Sequence, residues 1–256
     1  MAADGPGAGP AAISLTGWLR IGFRAAALIG WLALCLAGYH MWRLVRRANP
    51  WPRVFLGGAA RIAGAAVRVE GQPPAGGAFL VVNHVSWLDV PALAGASGAA
   101  FVAHDGLAAI PLLKWLCEMN GTVFVARHDR ASVAAQVGQI RGALTASAVL
   151  AVFPEGTTSD GTGLLAFKSS LLSALVPVPD GVVIQPVLLD YGREAAEIAW
   201  VGDELGLDNV KRILARARPV RLTIRFLPPL AGEAVADRKA MAVAARDAML
   251  AALPMR

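Results

Sequence analysis

The sequence predicts an α/β protein with a mostly parallel or mixed sheet flanked by helices, preceded by an N-terminal membrane-associated helix or helix pair. Three observations lead there. From residue 79 onward, short apolar runs alternate with helical stretches; residues 25–42 carry no formal charge; and several of the apolar runs end in polar side chains. In sheets built from such alternating units, a site gathers at the carboxyl ends of the strands.

Composition agrees with a membrane partner. An apolar fraction of 56% with only 16% charged residues is high for a freely soluble protein. The net charge of +6 is concentrated at one end: residues 1–68 hold Arg20, Arg24, Arg43, Arg46, Arg47, Arg53, Arg61 and Arg68 against Asp4 alone. Such a basic end suits anionic headgroups, each cation near the surface contributing on the order of 1 kcal/mol. Nucleic acid is a poor second choice, because the arginines flank an apolar segment and no recognition motif accompanies them.

Taken in order, residues 1–12 are mostly Ala, Gly and Pro and are expected to be a disordered tail. Residues 13–50 form the membrane-associated segment. As a helix, 25–42 would extend about 27 Å, close to the hydrocarbon thickness of a bilayer. Arg20 and Arg24 precede it, and Arg43, Arg46 and Arg47 follow. A cleaved signal peptide is not expected, because arginines rather than a small-residue site come next. A single span with the positive side inward, or helices sunk in one leaflet, would each put the rest of the chain against the cytoplasmic face of a bacterial-type inner membrane.

Residues 51–256 then make the α/β domain. Residues 43–74 read as a connector, with Trp51-Pro52 breaking helix and a Gly/Pro-rich turn before the first core strand. Expected strands are 78–82, 99–103, 122–126, 148–153, 182–189 and 219–227; expected helices are 87–96, 107–119, 131–146, 169–176, 207–216 and 234–252. Val133, Val137, Ile140 and Leu144 share one helical face. Strand 219–227 alternates apolar residues with Arg221, Thr223 and Arg225, as a half-exposed strand does. The cysteines Cys35 and Cys117 lie in apolar surroundings without a C-x-x-C and read as fillers in a reducing compartment.

Three strand ends carry the candidate chemistry. Strand 78–82 runs into Asn83-His84, with Asp89 five residues beyond the imidazole. Within one helix His84 and Asp89 would point about 140° apart, so His84 must precede the helix and swing back to the carboxylate. A histidine held in this way has a fixed tautomer and a stabilised imidazolium, and it can deprotonate a hydroxyl. Strand 122–126 ends in Arg127, which can grip a phosphate or carboxylate. Strand 148–153 ends in Pro154-Glu155-Gly156-Thr157, followed by Thr158 and Ser159, a turn that can offer N–H groups and hydroxyls to an anion.

The order and spacing of Asn83-His84-x4-Asp89, Gly121-x2-Phe124-x2-Arg127, Phe153-Pro154-Glu155-Gly156-Thr157 and Ile184-Gln185-Pro186-Val187 resemble the four motifs of the glycerolipid acyltransferase family. The resemblance implies a fatty acyl transfer from acyl-CoA or acyl carrier protein to a lysolipid hydroxyl, most simply 1-acylglycerol-3-phosphate, by direct attack. It casts His84 as general base and Asp89 as its partner. Arg127, Glu155, Gly156 and Thr157 would hold the polar head, with Asn83, Gly121 and Phe124 nearby and Pro186 shaping the far wall. No cofactor or metal is implied. His104 and Lys114 depart from the pattern of many relatives. The stretches 157–161 and 167–171, including Lys168, resemble the branch acting on lyso-ornithine lipid, whose head is an amino acid. An ester hydrolase could use the same pair on water, but the chain has no G-x-S-x-G elbow; a non-catalytic membrane-binding protein is the other class.

Overall fold

The computed structural model describes residues 13–45, 48–104, 106, 109–125, 133–146 and 149–254. The expected tail, Arg46, Arg47 and Arg127 lie outside the described residues.

Seven strands form one sheet: β1 (Ala65–Glu70), β2 (Ala78–Val82), β3 (Ala100–His104), β4 (Val123–Val125), β5 (Val149–Val152), β6 (Val183–Asp190) and β7 (Val220–Phe226). Their order is β1-β7-β6-β2-β5-β3-β4, and every neighbouring pair is parallel except β6 with β7. The central strand β2 is apolar at every position because both of its faces are covered. Leu80 and Val82 join one core, with Phe101, Leu222 and Ile224, while Phe79 and Val81 join the other, with Leu150 and Leu188. Strand β7 keeps the expected alternation, its Val220, Leu222, Ile224 and Phe226 turned inward.

Among the described residues, eight α-helices accompany the sheet. They are α1 (Leu15–Trp42), α2 (Trp51–Ala63), α3 (Asp89–Ser97), α4 (Pro111–Met119), α5 (Val133–Ala146), the single turn α6 (Ala195–Ile198), α7 (Gly206–Ala215) and α8 (Arg238–Ala252). The first core is covered by α2, α3 and α7, the second by α5, α8 and the segment Ser169–Leu175. That last segment is a 3-10 helix rather than the expected α-helix.

The stretch expected as a connector instead contains α2 and β1. Trp51-Pro52 does not break a helix here; the proline occupies the first turn of α2, where its missing N–H would be unpaired anyway. Helices α1 and α2 interlock through glycines. A Cβ on Gly58 would fall 2.2 Å from the Trp31 ring, and one on Gly38 an equal 2.2 Å from the Trp51 ring. On its other side α2 meets α3 so closely that a Cβ on Gly95 would lie 2.5 Å from the Gly57 Cα. Because only backbone could yield there, Gly95→Ala is expected to cost about 1–3 kcal/mol of stability. An unchanged midpoint in thermal unfolding would show that the two helices are free to separate.

Helix α1 is long and apolar enough to cross a membrane, yet only its Gly17 and Cys35 are buried. It also docks on the domain: Arg24 Nη1 donates to the carbonyls of Ile213 and Leu214 at the end of α7, at 3.3 and 2.9 Å. Arg53 likewise donates to Gly95 and Ala96 at the end of α3. These arginines satisfy helix carbonyls and complement their dipoles, so only part of the basic N-terminal charge is left for headgroups.

Candidate active site

The site is built where β2 gives way to α3. After Val82 the chain turns through residues 83–88, and the side chain of Asp89, the first residue of α3, folds back over that turn. Its Oδ2 accepts the N–H groups of Val85 at 2.7 Å and Ser86 at 2.9 Å, and lies 2.8 Å from His84 Nδ1. Its Oδ1 accepts the phenol of Tyr191 at 2.5 Å. The Asp89 carboxyl is wholly buried and accepts from Val85, Ser86 and Tyr191, so its Oδ2 faces His84 Nδ1 as an acceptor. The proton on His84 is therefore assigned to Nδ1, and Nε2 is left as the basic nitrogen. Burial, reinforced by the charge of Asp89, pushes the Tyr191 phenol well above its ordinary value, which keeps it a donor.

The backbone of His84 is equally fixed. Its N–H donates to Glu155 Oε1 at 3.3 Å, and its carbonyl accepts the Ser159 N–H at 2.7 Å and hydroxyl at 3.1 Å. The Phe153 ring stacks on the imidazole at 4.1 Å and 17°, and Phe101 stacks on Phe153 in turn. This aromatic face favours an imidazolium once it forms.

Two cavities meet at His84. One, about 400 Å³, is almost wholly apolar; Leu32 and Leu36 of α1, Phe55 and Ala59 of α2 and Leu113 and Leu116 of α4 contribute to its wall. Cys35 and Cys117, free thiols, line it too, as apolar fillers would. The other, about 540 Å³, is more polar and is bordered by Gly156, Thr157, Thr158, Thr122 and Glu204. Trp200 borders both. Among the described residues, no cluster of three or more His, Cys, Asp or Glu side chains is gathered as a metal would need.

The sequence-expected residues separate into two groups. His84, Gly156 and Thr157 border the polar cavity, with Asp89 directly behind His84. Asn83, Gly121, Phe124, Glu155, Lys168 and Pro186 border neither cavity. Asn83 joins β2 to β6, donating to Leu189 O and accepting from Leu189 N. Pro186 lies inside the sheet, paired with Val81. Phe124 is in β4 opposite Ala103, and Gly121 supplies the positive-φ turn that enters that strand. Lys168 is exposed, with Nζ only 2.6 Å from where a Gly156 Cβ would sit. Glu155 is 2% exposed and accepts from the His84 N–H, with the Leu165 N–H as a weaker second donor. Burial pushes that carboxyl up to about 7. The expected headgroup cation Arg127 lies outside the described residues.

The turn after Glu155 uses much of its polarity internally. Thr158 Oγ1 donates to the Trp200 carbonyl, and Gly156 N–H to Phe153 O. The backbone N–H groups just after His84, natural candidates to stabilise an oxyanion, are likewise engaged, since those of Val85 and Ser86 bind Asp89. Tyr191 and Trp200 have no signature in the sequence: both follow β6 in a loop-rich stretch, and Trp200 is brought in by its N–H bond to Val85 O.

Comparison with known proteins agrees with this geometry. Residues 66–190 match the family model described as Acyltransferase. The chain is 32% identical to a lyso-ornithine lipid O-acyltransferase of Pseudomonas aeruginosa, the match covering 92% of this chain and 94% of that one. It is 31% identical to a 1-acyl-sn-glycerol-3-phosphate acyltransferase of Neisseria gonorrhoeae over 47% of each chain. The crystal structure of the 1-acyl-sn-glycerophosphate acyltransferase of Thermotoga maritima superposes with a TM-score of 0.63 at 22% identity, covering 94% of this chain and 97% of that one, and so shares the fold.

Proposed function

The chain belongs to the acyltransferase family, among its lysolipid acyltransferases, and on that premise we propose that it moves a fatty acyl chain from acyl-CoA or acyl carrier protein to the hydroxyl of lyso-ornithine lipid. The observation that carries the reading is the position of His84, a titratable side chain lining both the apolar and the polar cavity, with its Nδ1 already engaged by Asp89.

In this reading the acyl chain of the donor lies among Leu32, Leu36, Phe55 and Leu113, and the acceptor's head lies beside Gly156 and Thr157. His84 Nε2 takes the hydroxyl proton as the oxygen attacks the thioester carbonyl. The tetrahedral intermediate collapses, the C–O ester bond replaces the C–S bond, and the leaving thiolate receives the proton from the imidazolium. General base catalysis of this kind contributes about 10²–10⁴-fold, and holding both substrates in register adds to it. Asp89 stabilises the imidazolium, and Tyr191 fixes the carboxylate that does so. Asn83, Glu155 and Pro186 support the turn from behind, while Arg127 and Lys168 are the cations proposed to meet the head. The work is placed at the cytoplasmic face of a bacterial inner membrane, where acyl thioesters are found.

Lyso-ornithine lipid is preferred to 1-acylglycerol-3-phosphate because similarity to the enzymes named for it spans nearly the whole chain, against about half for the others. The purified full chain, offered both acceptors with each donor, is expected to acylate lyso-ornithine lipid at least tenfold faster. A preference for 1-acylglycerol-3-phosphate would reverse the choice of acceptor, and free fatty acid without acylated product would replace transfer by hydrolysis.

A further inference from the structure

Helix α4 is an anomaly of composition. Of its nine residues only Lys114 and Glu118 are polar, yet none of the nine is buried. At about 100° per residue, Leu113, Leu116 and Cys117 share one arc, and all three line the apolar cavity. Leu112 and Trp115 lie outside the cavity lining, about 40° and 100° beyond the arc's edge with the cavity-lining Met119 between them, and are 60% and 39% exposed. Ile110, just before the helix, is 57% exposed. Lys114 and Glu118 occupy the opposite side and pair with each other at 3.7 Å. The apolar surface of α4 spans about 200°, and Leu112 and Trp115 leave part of it outside the cavity and exposed.

Across the cavity stands α1. Its exposed Leu15, Trp18, Leu19, Phe23, Ile29, Leu34 and Met41 all fall within one arc of about 160°. Leu36, at the edge of the same arc, turns into the cavity. The apolar outer face of α1 therefore runs without interruption to one lip of the cavity, and α4 forms another lip with an exposed apolar flank of its own.

We propose that α4 is a second membrane-seated element: Ile110, Leu112 and Trp115 rest in the bilayer interface, so that the apolar cavity opens into lipid between α1 and α4. A tryptophan among exposed aliphatic side chains, its ring apolar and its N–H polar, suits the boundary between headgroups and acyl chains. Continuity with the face of α1 commits the occupant to lipid rather than to a protein. The consequence for turnover rests on reading this cavity as the acyl site; the seating itself does not.

Two measurements decide it. Hydrogen exchange of the full chain is compared with and without vesicles of phosphatidylethanolamine and phosphatidylglycerol. Amides of 109–116 are expected to exchange at least tenfold more slowly on vesicles, together with those of α1. Unchanged exchange there while α1 is protected would overturn the proposal, as would equal protection at high protein concentration without lipid. The double variant Leu112→Gln, Trp115→Gln is expected to lose at least tenfold in kcat/KM on vesicle-borne substrates and to keep its rate on short-chain, monomeric ones. Retained rate on vesicles would overturn it. Inactivity of the parent chain on every lysolipid would instead defeat the acyltransferase reading, leaving the exchange result to stand by itself.

Discussion

Replacing His84 by alanine is expected to lower kcat by about 10²–10⁴-fold with little change in KM. The imidazole sits where the two cavities meet, and the residue's backbone is held by Glu155 and Ser159, so its removal leaves the surrounding turn in place. Asp89→Asn is expected to fall nearly as far. The amide keeps the shape and can still accept from Val85 and Ser86, but the charge that stabilises the imidazolium is gone. Since the two residues act as one unit, the double variant should be scarcely worse than either single one. Tyr191→Phe should lie between, because it removes one of four donors and leaves the others in place. Steady-state assays with saturating acyl donor check the series. A His84→Ala protein keeping more than a tenth of parental kcat would mean that another group takes the proton.

The second large effect concerns Glu155 and stability. Its carboxyl is pushed up to about 7 chiefly by burial, which the N–H groups of His84 and Leu165 only partly offset. An acid with a raised folded-state pKa binds its proton more tightly folded than unfolded. The resulting stabilisation is complete below the unfolded value of about 4.5, declines as pH rises, and is lost once pH passes about 7. Over that window the protein should lose about 3 kcal/mol from this group. Glu155→Gln, which keeps an acceptor for the His84 N–H but cannot ionise, should therefore gain on the parent by about that amount between pH 5 and pH 8. Urea unfolding at both pH values tests it. Parallel pH dependence in the two proteins would show that the carboxylate is satisfied within the fold.

Much of the architecture could be read from local pattern. The unbroken apolar run of β2, the alternation in β7 and the shared face of Ile140 and Leu144 each reflect what a single element buries, and that is written in its own residues. Helix α2 could not be read this way. Its glycines lower helix propensity, and they are present because Trp31 and Gly95 press against them, which is a property of neighbouring elements. Strand β1 was hidden for a related reason: it lies at the sheet edge, and four of its six residues stay exposed. At the site, the bond between His84 and Asp89 followed from their spacing because both sit on one turn. Tyr191 and Trp200 arrive from more than a hundred residues away, and no short motif announces them. Glu155 was expected at the acceptor's head but is buried behind the histidine, since its neighbour in sequence, Gly156, turns the chain outward with φ of 71°.

The polar contacts of His84 come from its own turn, from Asp89 at the start of α3 and from the stretch that follows β5, whereas the apolar cavity is walled mainly by α1, α2 and α4, which give the imidazole no polar contact. On the proposed function, chemistry and measurement of chain length fall largely to separate parts of the polypeptide. On that reading, enlarging or trimming side chains on α1, α2 or α4 is expected to shift the acyl length accepted while the pairing of His84 with Asp89 is kept, which would let lipid composition be re-tailored one wall at a time.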